Sequence, residues 1–229
     1  MTSANPPEPE RRERRTAPDA SAVELSYPFR GRWKVENSPE NRVPSHGTTL
    51  FGVSHAIDFV AVDDSGRSAP RTWTSIFSPE HPELFVGFGA DVIAPVDGRV
   101  VEIHDAEPDH RARRSPFTLA PYMAGQGRRA AAGANGLAGN RVVLSLGEAG
   151  PYVVVAHLRH GSVCVSVGQT VSTGDRLGEC GNSGNSTEPH IHLQVSTSTE
   201  WERAQGVPLT FVHASGERGV PRNGEIVAA

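Results

Sequence analysis

The sequence predicts a mainly β fold, an antiparallel β-sheet core with a groove above it and little helix. Three observations predict it. The chain has 24 glycines and 18 prolines in 229 residues, so turns are frequent and segments short. After Asn140 the apolar runs "RVVLSL", "YVVVAHL", "SVCVSV", "RLGECG" and "HIHLQV" follow one another, parted by Gly and Asp turns. Short strands at close spacing are the pattern of an antiparallel sheet or barrel-like sandwich. Finally, there is no repeat array, and no Gly-rich phosphate loop leads into a helix.

Taken in order, residues 1–24 are rich in Pro, Glu, Arg and Ala with mixed charge and read as a disordered or loosely ordered tail. Residues 25–229 read as one domain, with order beginning near Tyr27. Strands are expected near 56–62, 93–103, 141–146, 152–158, 162–167 and 190–196, with the second region folded about an Asp97–Gly98 turn. Residues 106–139 look like an insertion, too long for a structureless loop, so a short helix or a flap is expected there. Arg111, Arg113, Arg114, Arg128 and Arg129 make it locally basic. It reads either as a solvated surface loop or as a substrate-binding flap.

Composition narrows the function classes. A formal charge of −4 argues against nucleic-acid binding through bulk electrostatics. No run approaches the ~18 apolar residues of a membrane span. The N-terminus lacks an apolar signal core, and no apolar stretch follows "RRERR", so by sequence the chain reads as cytoplasmic, or its start lies elsewhere, or export uses another route. Cys164 and Cys180 are too few for a cysteine-rich structural zinc site and are expected as buried thiols.

The chemistry concentrates in "EPHIHLQV". In a strand, His190 and His192 point to one face with Cα atoms roughly 6.6 Å apart, close enough to share a metal or a reacting group. Alone, the pair fits a half-exposed sheet surface equally well. His157, in "VVAHL", reads alone as a partly buried strand histidine. Asp58 is flanked by apolar residues in "AIDFV", so its carboxylate needs a cation or donors. His81, His104, His110 and His213 read as surface residues, and His160 as a candidate for the cleft rim.

"GNSGNSTEPHIHLQV" (181–195) resembles the signature of the M23, or LytM/lysostaphin-type, zinc metallopeptidases, in which a Gly-Asn-Ser/Thr-Gly turn leads into a His-x-His strand. "VVAHLRHGSVCVSVGQTVSTGDRLGECG" (154–181), "IAPVDGRVV" (93–101) and "AIDFV" (56–60) resemble further family segments in the same order. The resemblance implies the family's barrel-sandwich fold with its groove. By position it implies that His192 and Asp58 hold Zn2+, and that His157 and His190 orient or deprotonate the attacking water and stabilise the oxyanion. Three protein ligands would leave zinc a fourth position for water, whose pKa falls to roughly 7.

One ligand departs from the pattern. The family places a histidine four residues before the aspartate, and here that residue is Ser54. His55 has the right chemistry, but three residues from Asp58 it faces the opposite side of a strand unless a bulge re-aims it. His46, in the loop "PSHGTTLFG", needs no change of register to fold back and is preferred. The remaining alternative is that no histidine substitutes. Two readings of function follow. One is a zinc-dependent endopeptidase that hydrolyses peptide amides of the bacterial peptidoglycan class. The other is a catalytically degenerate domain of the same fold that binds cell-wall peptide or regulates a partner hydrolase.

Overall fold

Strand β10 (Ile191–Ser196) lies at the centre of an eight-stranded sheet and shows how the sequence builds it. Ile191, Leu193 and Val195 point into the main core, while His192 and Gln194 point to the other face. That is the period of two that a pleated strand imposes. The computed structural model describes residues 22–125, 127, 133–212 and 216–229. His213, Arg128, Arg129 and all but the last three residues of the expected 1–24 tail fall outside that set.

The remaining strands are β1 (Val23–Leu25), β2 (Arg32–Glu36), β3 (Ile57–Ala61), β4 (Asp91–Ile93), β5 (Gly98–His104), β6 (Asn140–Ser145) and β7 (Tyr152–Leu158). After these come β8 (Thr170–Val171), β9 (Arg176–Glu179), β11 (Leu209–Val212), β12 (Arg218–Gly219) and β13 (Ile226–Ala228). The large sheet runs β13-β2-β3-β10-β7-β6-β5-β8, and all its pairings are antiparallel. Two small sheets, β1-β11-β12 and β4-β9, complete the described strands. The mainly β, antiparallel fold read from the sequence is what the chain adopts.

The core lies on one face of the large sheet. Phe29, Trp33, Phe59 and Phe211 are essentially inaccessible to solvent there, with Tyr27 among them. Tyr27 stacks on Phe211 with ring centroids 4.7 Å apart, and Phe29 stacks on Trp33 at 4.8 Å. Burying each such ring contributes about 1.5–3 kcal/mol. Tyr27 keeps its hydroxyl proton to about pH 12, because burial and the nearby Glu225 both disfavour the phenolate.

Three expectations are corrected. Residues 162–167 form no strand. Cys164 N–H bonds to the Leu177 carbonyl at 3.0 Å, but the segment is otherwise irregular because its alternation is not matched by a partner strand. Cys164 is therefore exposed, and of the two thiols only Cys180 is buried. Val23 and Glu24, read as tail, belong to β1, which pairs in parallel with β11.

The 106–139 segment holds helices α2 (Pro116–Ala124) and α3 (Gly133–Ala138). It is not isolated. The Ala112 backbone pairs with Glu80 in a second excursion, residues 64–90, which carries the short helix α1 (Trp73–Phe77). The buried Glu80 carboxylate receives two hydrogen bonds from Arg114, at 2.5 and 2.9 Å. Leu137 and Ala138 reach the groove over the sheet, so this segment supplies part of the groove wall.

Candidate metal and catalytic site

The polar face of the sheet opens into a cleft of about 700 Å³. Asp58 on β3 stands directly opposite His192 on β10, and His192 in turn stands opposite Ala156 on β7. Three neighbouring strands thus place their side chains in one row. His192 Nδ1 lies 2.9 Å from Asp58 Oδ1, and His190 Nε2 lies 3.8 Å from the same oxygen. The two histidines therefore share a side, as their spacing predicts.

His157 reaches that side through a break in the alternation. Val153 and Val155 face the core, so residue 157 in a regular strand would do the same. Instead the register with β6 shifts between Asn140 and Arg141, whose partners are Leu158 and Ala156. His157 is the unpaired extra residue, with φ of 61°. The bulge returns Leu158 to the core and turns the imidazole to the cleft. Left-handed backbone at a non-glycine residue costs on the order of 1–3 kcal/mol. Contacts on both sides hold it: Gly181 N–H donates to the His157 carbonyl at 2.9 Å, and His157 Nδ1 donates to the Ser183 carbonyl at 2.9 Å.

His46 arrives from the loop before β3. Ser45 N–H donates to the Ser54 carbonyl at 2.9 Å, which docks this loop on the 3-10 turn Leu50–His55. His46 Nε2 then lies 3.1 Å from Asp58 Oδ2, and its ring centroid lies 4.9 Å from that of His192. Ligand atoms of His46, Asp58 and His192 all lie within 4.8 Å of one another. Ser54 and His55 belong to the turn, not to β3, so the strand parity weighed for His55 does not operate there. Among the described residues, neither belongs to the clustered donors.

Backbone and hydroxyl partners set the imidazole tautomers. A carbonyl only accepts, so the proton of His157 sits on Nδ1, and so does that of His190, which lies 2.8 Å from the Glu188 carbonyl. In the neutral form each ring then presents an Nε2 lone pair. Ser45 Oγ donates to the Val53 carbonyl and is left to accept from His46 Nδ1 at 3.0 Å, which turns His46 Nε2 toward Asp58 Oδ2 at 3.1 Å.

The electrostatics centre on Asp58. Burial would raise its pKa, but the charges of His46 and His190 and hydrogen bonds from His192 and His46 hold it well below the usual carboxylate range. Asn37 adds a 2.7 Å bond from Nδ2 to Asp58 Oδ2. For His192, burial opposes protonation, yet Asp58 overcomes it and raises the pKa. Burial, then the charges of His190 and His192, push His157 well below the ordinary imidazole value. A carboxylate kept ionised beside a neutral imidazole is a combination suited to cation binding and proton transfer.

The structure also shows what the sequence reading missed. Asn37 lies 21 residues from Asp58 and carries no motif that would reveal it. Gln194 shares the face of His192 and was visible by parity alone. His110 is not a plain surface residue: its Nε2 lies 2.9 Å from the Gly184 carbonyl and tethers the loop that carries Ser183. His160 is exposed and does not line the cleft.

These motifs can be set against known proteins. Residues 122–205 match the model of peptidase family M23. The resemblance read from the sequence is thereby borne out over the stretch carrying His157, His190 and His192. The matched residues do not include His46 or Asp58. Among solved structures, the chain is similar to the catalytic domain of the antimicrobial peptidase lysostaphin from Staphylococcus simulans. The identity is 20%, covering 69% of this chain and 80% of that one, with a TM-score of 0.37. It is also similar to Helicobacter pylori Csd3 (15% identity, 88% of this chain and 36% of that one, TM-score 0.40). A third similar structure is a zinc-containing peptidase from Vibrio cholerae (20%, 66% and 45%, TM-score 0.32). The chain thus spans less than half the length of the latter two.

Proposed function

We propose that this protein is a zinc-dependent endopeptidase that hydrolyses amide bonds in peptides of the peptidoglycan class, with His46, Asp58 and His192 as the metal ligands. The observation that carries the reading is the convergence of two imidazoles and one ionised carboxylate within 4.8 Å, beside two further histidines. Two histidines and a carboxylate are an ordinary donor set of catalytic zinc, so the residues present fit the ion. Zinc, when bound, polarises the substrate carbonyl and lowers the pKa of water.

The other steps belong to the protein. Asp58 is held ionised by its neighbours and gives the site its negative charge. His157 and His190 present Nε2 lone pairs with their rings 4.6 Å apart at centroids. One can take the proton of the attacking water on Nε2 and then return that same proton to the leaving amine, with the other ring beside it in the cleft. The peptide lies in the 700 Å³ cleft, whose walls include Phe51, Leu137 and Trp201.

The test is metal content of the purified protein by mass spectrometry, together with release of new amino groups from purified peptidoglycan. One equivalent of zinc and chelator-sensitive release are expected. Protein without zinc that still sediments with peptidoglycan would replace this reading with that of a binding domain.

A further inference from the structure

We infer that Gln194 is a positioning residue that fixes His192 as an Nδ1 ligand, and that the Leu50–His55 turn exists at this site to hold Gln194. The inference rests on the metallopeptidase reading above and deepens it.

The geometry begins at Phe51. Its backbone carbonyl lies 3.0 Å from Gln194 Nε2. A carbonyl can only accept, so the amide nitrogen of Gln194 must face it. That settles which end of the amide is which, and Gln194 Oε1 is turned toward His192. Oε1 lies 3.0 Å from His192 Nε2. An amide oxygen also only accepts, so Nε2 must carry a proton. The remaining ring nitrogen, Nδ1, lies 2.9 Å from Asp58 and within the cluster formed with His46. When a cation displaces the proton there, the ring keeps its Nε2 proton and offers Nδ1. Because an amide does not titrate, this instruction holds across the working pH range.

The strained turn has a purpose in this chain of contacts. Phe51 has φ of 58° and Gly52 φ of 75° inside the 3-10 segment. Left-handed backbone at Phe51 is unfavourable, whereas Gly52 accepts it freely. A Cβ on residue 52 would come 3.1 Å from the Ser196 Cβ, so glycine also eases the close approach to β10. The segment that lacks a histidine at Ser54 thus acts on the site in another way. It delivers a carbonyl to Gln194, and Gln194 delivers an acceptor to His192.

The test compares wild type, Gln194→Leu and Gln194→Glu by zinc affinity in chelator competition, by thermal unfolding of the metal-free protein, and by nitrogen-15 correlation spectra of the imidazoles. Gln194→Leu removes the acceptor at similar volume and is expected to weaken zinc binding about 10–100-fold, as loss of a group behind a ligating histidine does. Gln194→Glu keeps an acceptor for His192 and is expected to bind zinc at least as tightly. It should unfold at lower temperature, because its second oxygen now opposes the Phe51 carbonyl. In zinc-loaded wild type, the His192 proton should reside on Nε2. The inference is overturned if folded Gln194→Leu binds zinc within about three-fold of wild type, the scatter of a neutral substitution. A metal-bound Nε2 in the wild-type spectrum would overturn it as well, and that spectrum decides if Gln194→Leu does not fold. Failure of wild type itself to bind zinc would bring down the metallopeptidase reading and this inference together.

Discussion

The replacement of His46 by alanine separates a loop-borne ligand from a coincidental neighbour. Its Nε2 lies 3.1 Å from Asp58 Oδ2, and its Nδ1 is held by Ser45. Structural zinc sites bind with about 10–16 kcal/mol over four ligands, or roughly 3–4 kcal/mol for each. Deleting one of three should therefore weaken zinc by on the order of 10²–10³-fold. The metal-free protein should lose much less. Asp58 keeps its bonds from His192 and Asn37, so what disappears is one charge-assisted hydrogen bond worth about 1.5–3 kcal/mol. His55→Ala is the control, with an expected change in zinc affinity below about three-fold. The assay is competition with a chromophoric chelator, alongside urea unfolding of the metal-free variants. Equal affinity of His46→Ala and wild type would refute the placement of His46 in the coordination set. A loss in His55→Ala as large as that in His46→Ala would show that the observed loop position is not the one the metal selects.

Three further outcomes are expected. Alanine at His157 or His190 should leave zinc bound while lowering turnover roughly 10²–10⁴-fold, whereas His192→Ala should lose the metal; equal zinc loss in all three would show that the water-handling histidines are ligands. Glu80→Gln keeps one acceptor but removes the counter-charge of Arg114, which also bonds the Pro70 carbonyl at 3.1 Å, so urea unfolding should register a loss of about 1.5–3 kcal/mol. Burial raises the pKa of Glu188, only partly offset by the Ser68 hydroxyl bonded to it at 2.6 Å. The folded protein then binds more protons than the unfolded chain, so this group's contribution is full below the unfolded value near pH 4.5 and is lost as pH rises through the folded value. Glu188→Gln keeps an acceptor for Ser68 and should flatten that decline, and an unchanged slope of unfolding free energy against pH would contradict the assignment.

Much of the fold was legible because strands announce themselves by alternation. In "IHLQV" the apolar residues sit at positions 191, 193 and 195, and those are the positions in the core. The same rule misled at "SVCVSV", whose alternation is as clean but whose segment finds no ladder beyond the contact to Leu177. Periodicity reports which face could be buried, and pairing requires a neighbour that the period does not name. A short helix or a flap was expected in residues 106–139, where the structure has two helices, and the partner excursion at 64–90 was not expected. Its link to them runs through an ion pair between the buried Glu80 and the half-buried Arg114, and neither residue has a local pattern marking it as paired.

The site was legible in its residue types and much less so in its geometry. His157 shows why. By alternation from Val153 and Val155 it belongs to the core, and only a bulge puts it in the cleft. A bulge leaves little trace in the amino-acid pattern, because its cost is met by contacts far away in sequence, here the carbonyl of Ser183 and the N–H of Gly181. His46 presents the same problem in another form. Nothing in "PSHGTTLFG" fixes where that loop lies, and the structure fixes it through Ser45, which bonds the turn through both its backbone and its hydroxyl. The turn and the His46 loop are therefore one arrangement. The turn supplies the Val53 and Ser54 carbonyls that dock the His46 loop, and the Phe51 carbonyl that orients Gln194. Ser54 Oγ lies well inside contact distance of where a Cβ on residue 206 would stand, so a histidine at position 54 would put a larger side chain into a space that only glycine at 206 leaves open, and the loop and the turn would have to change together.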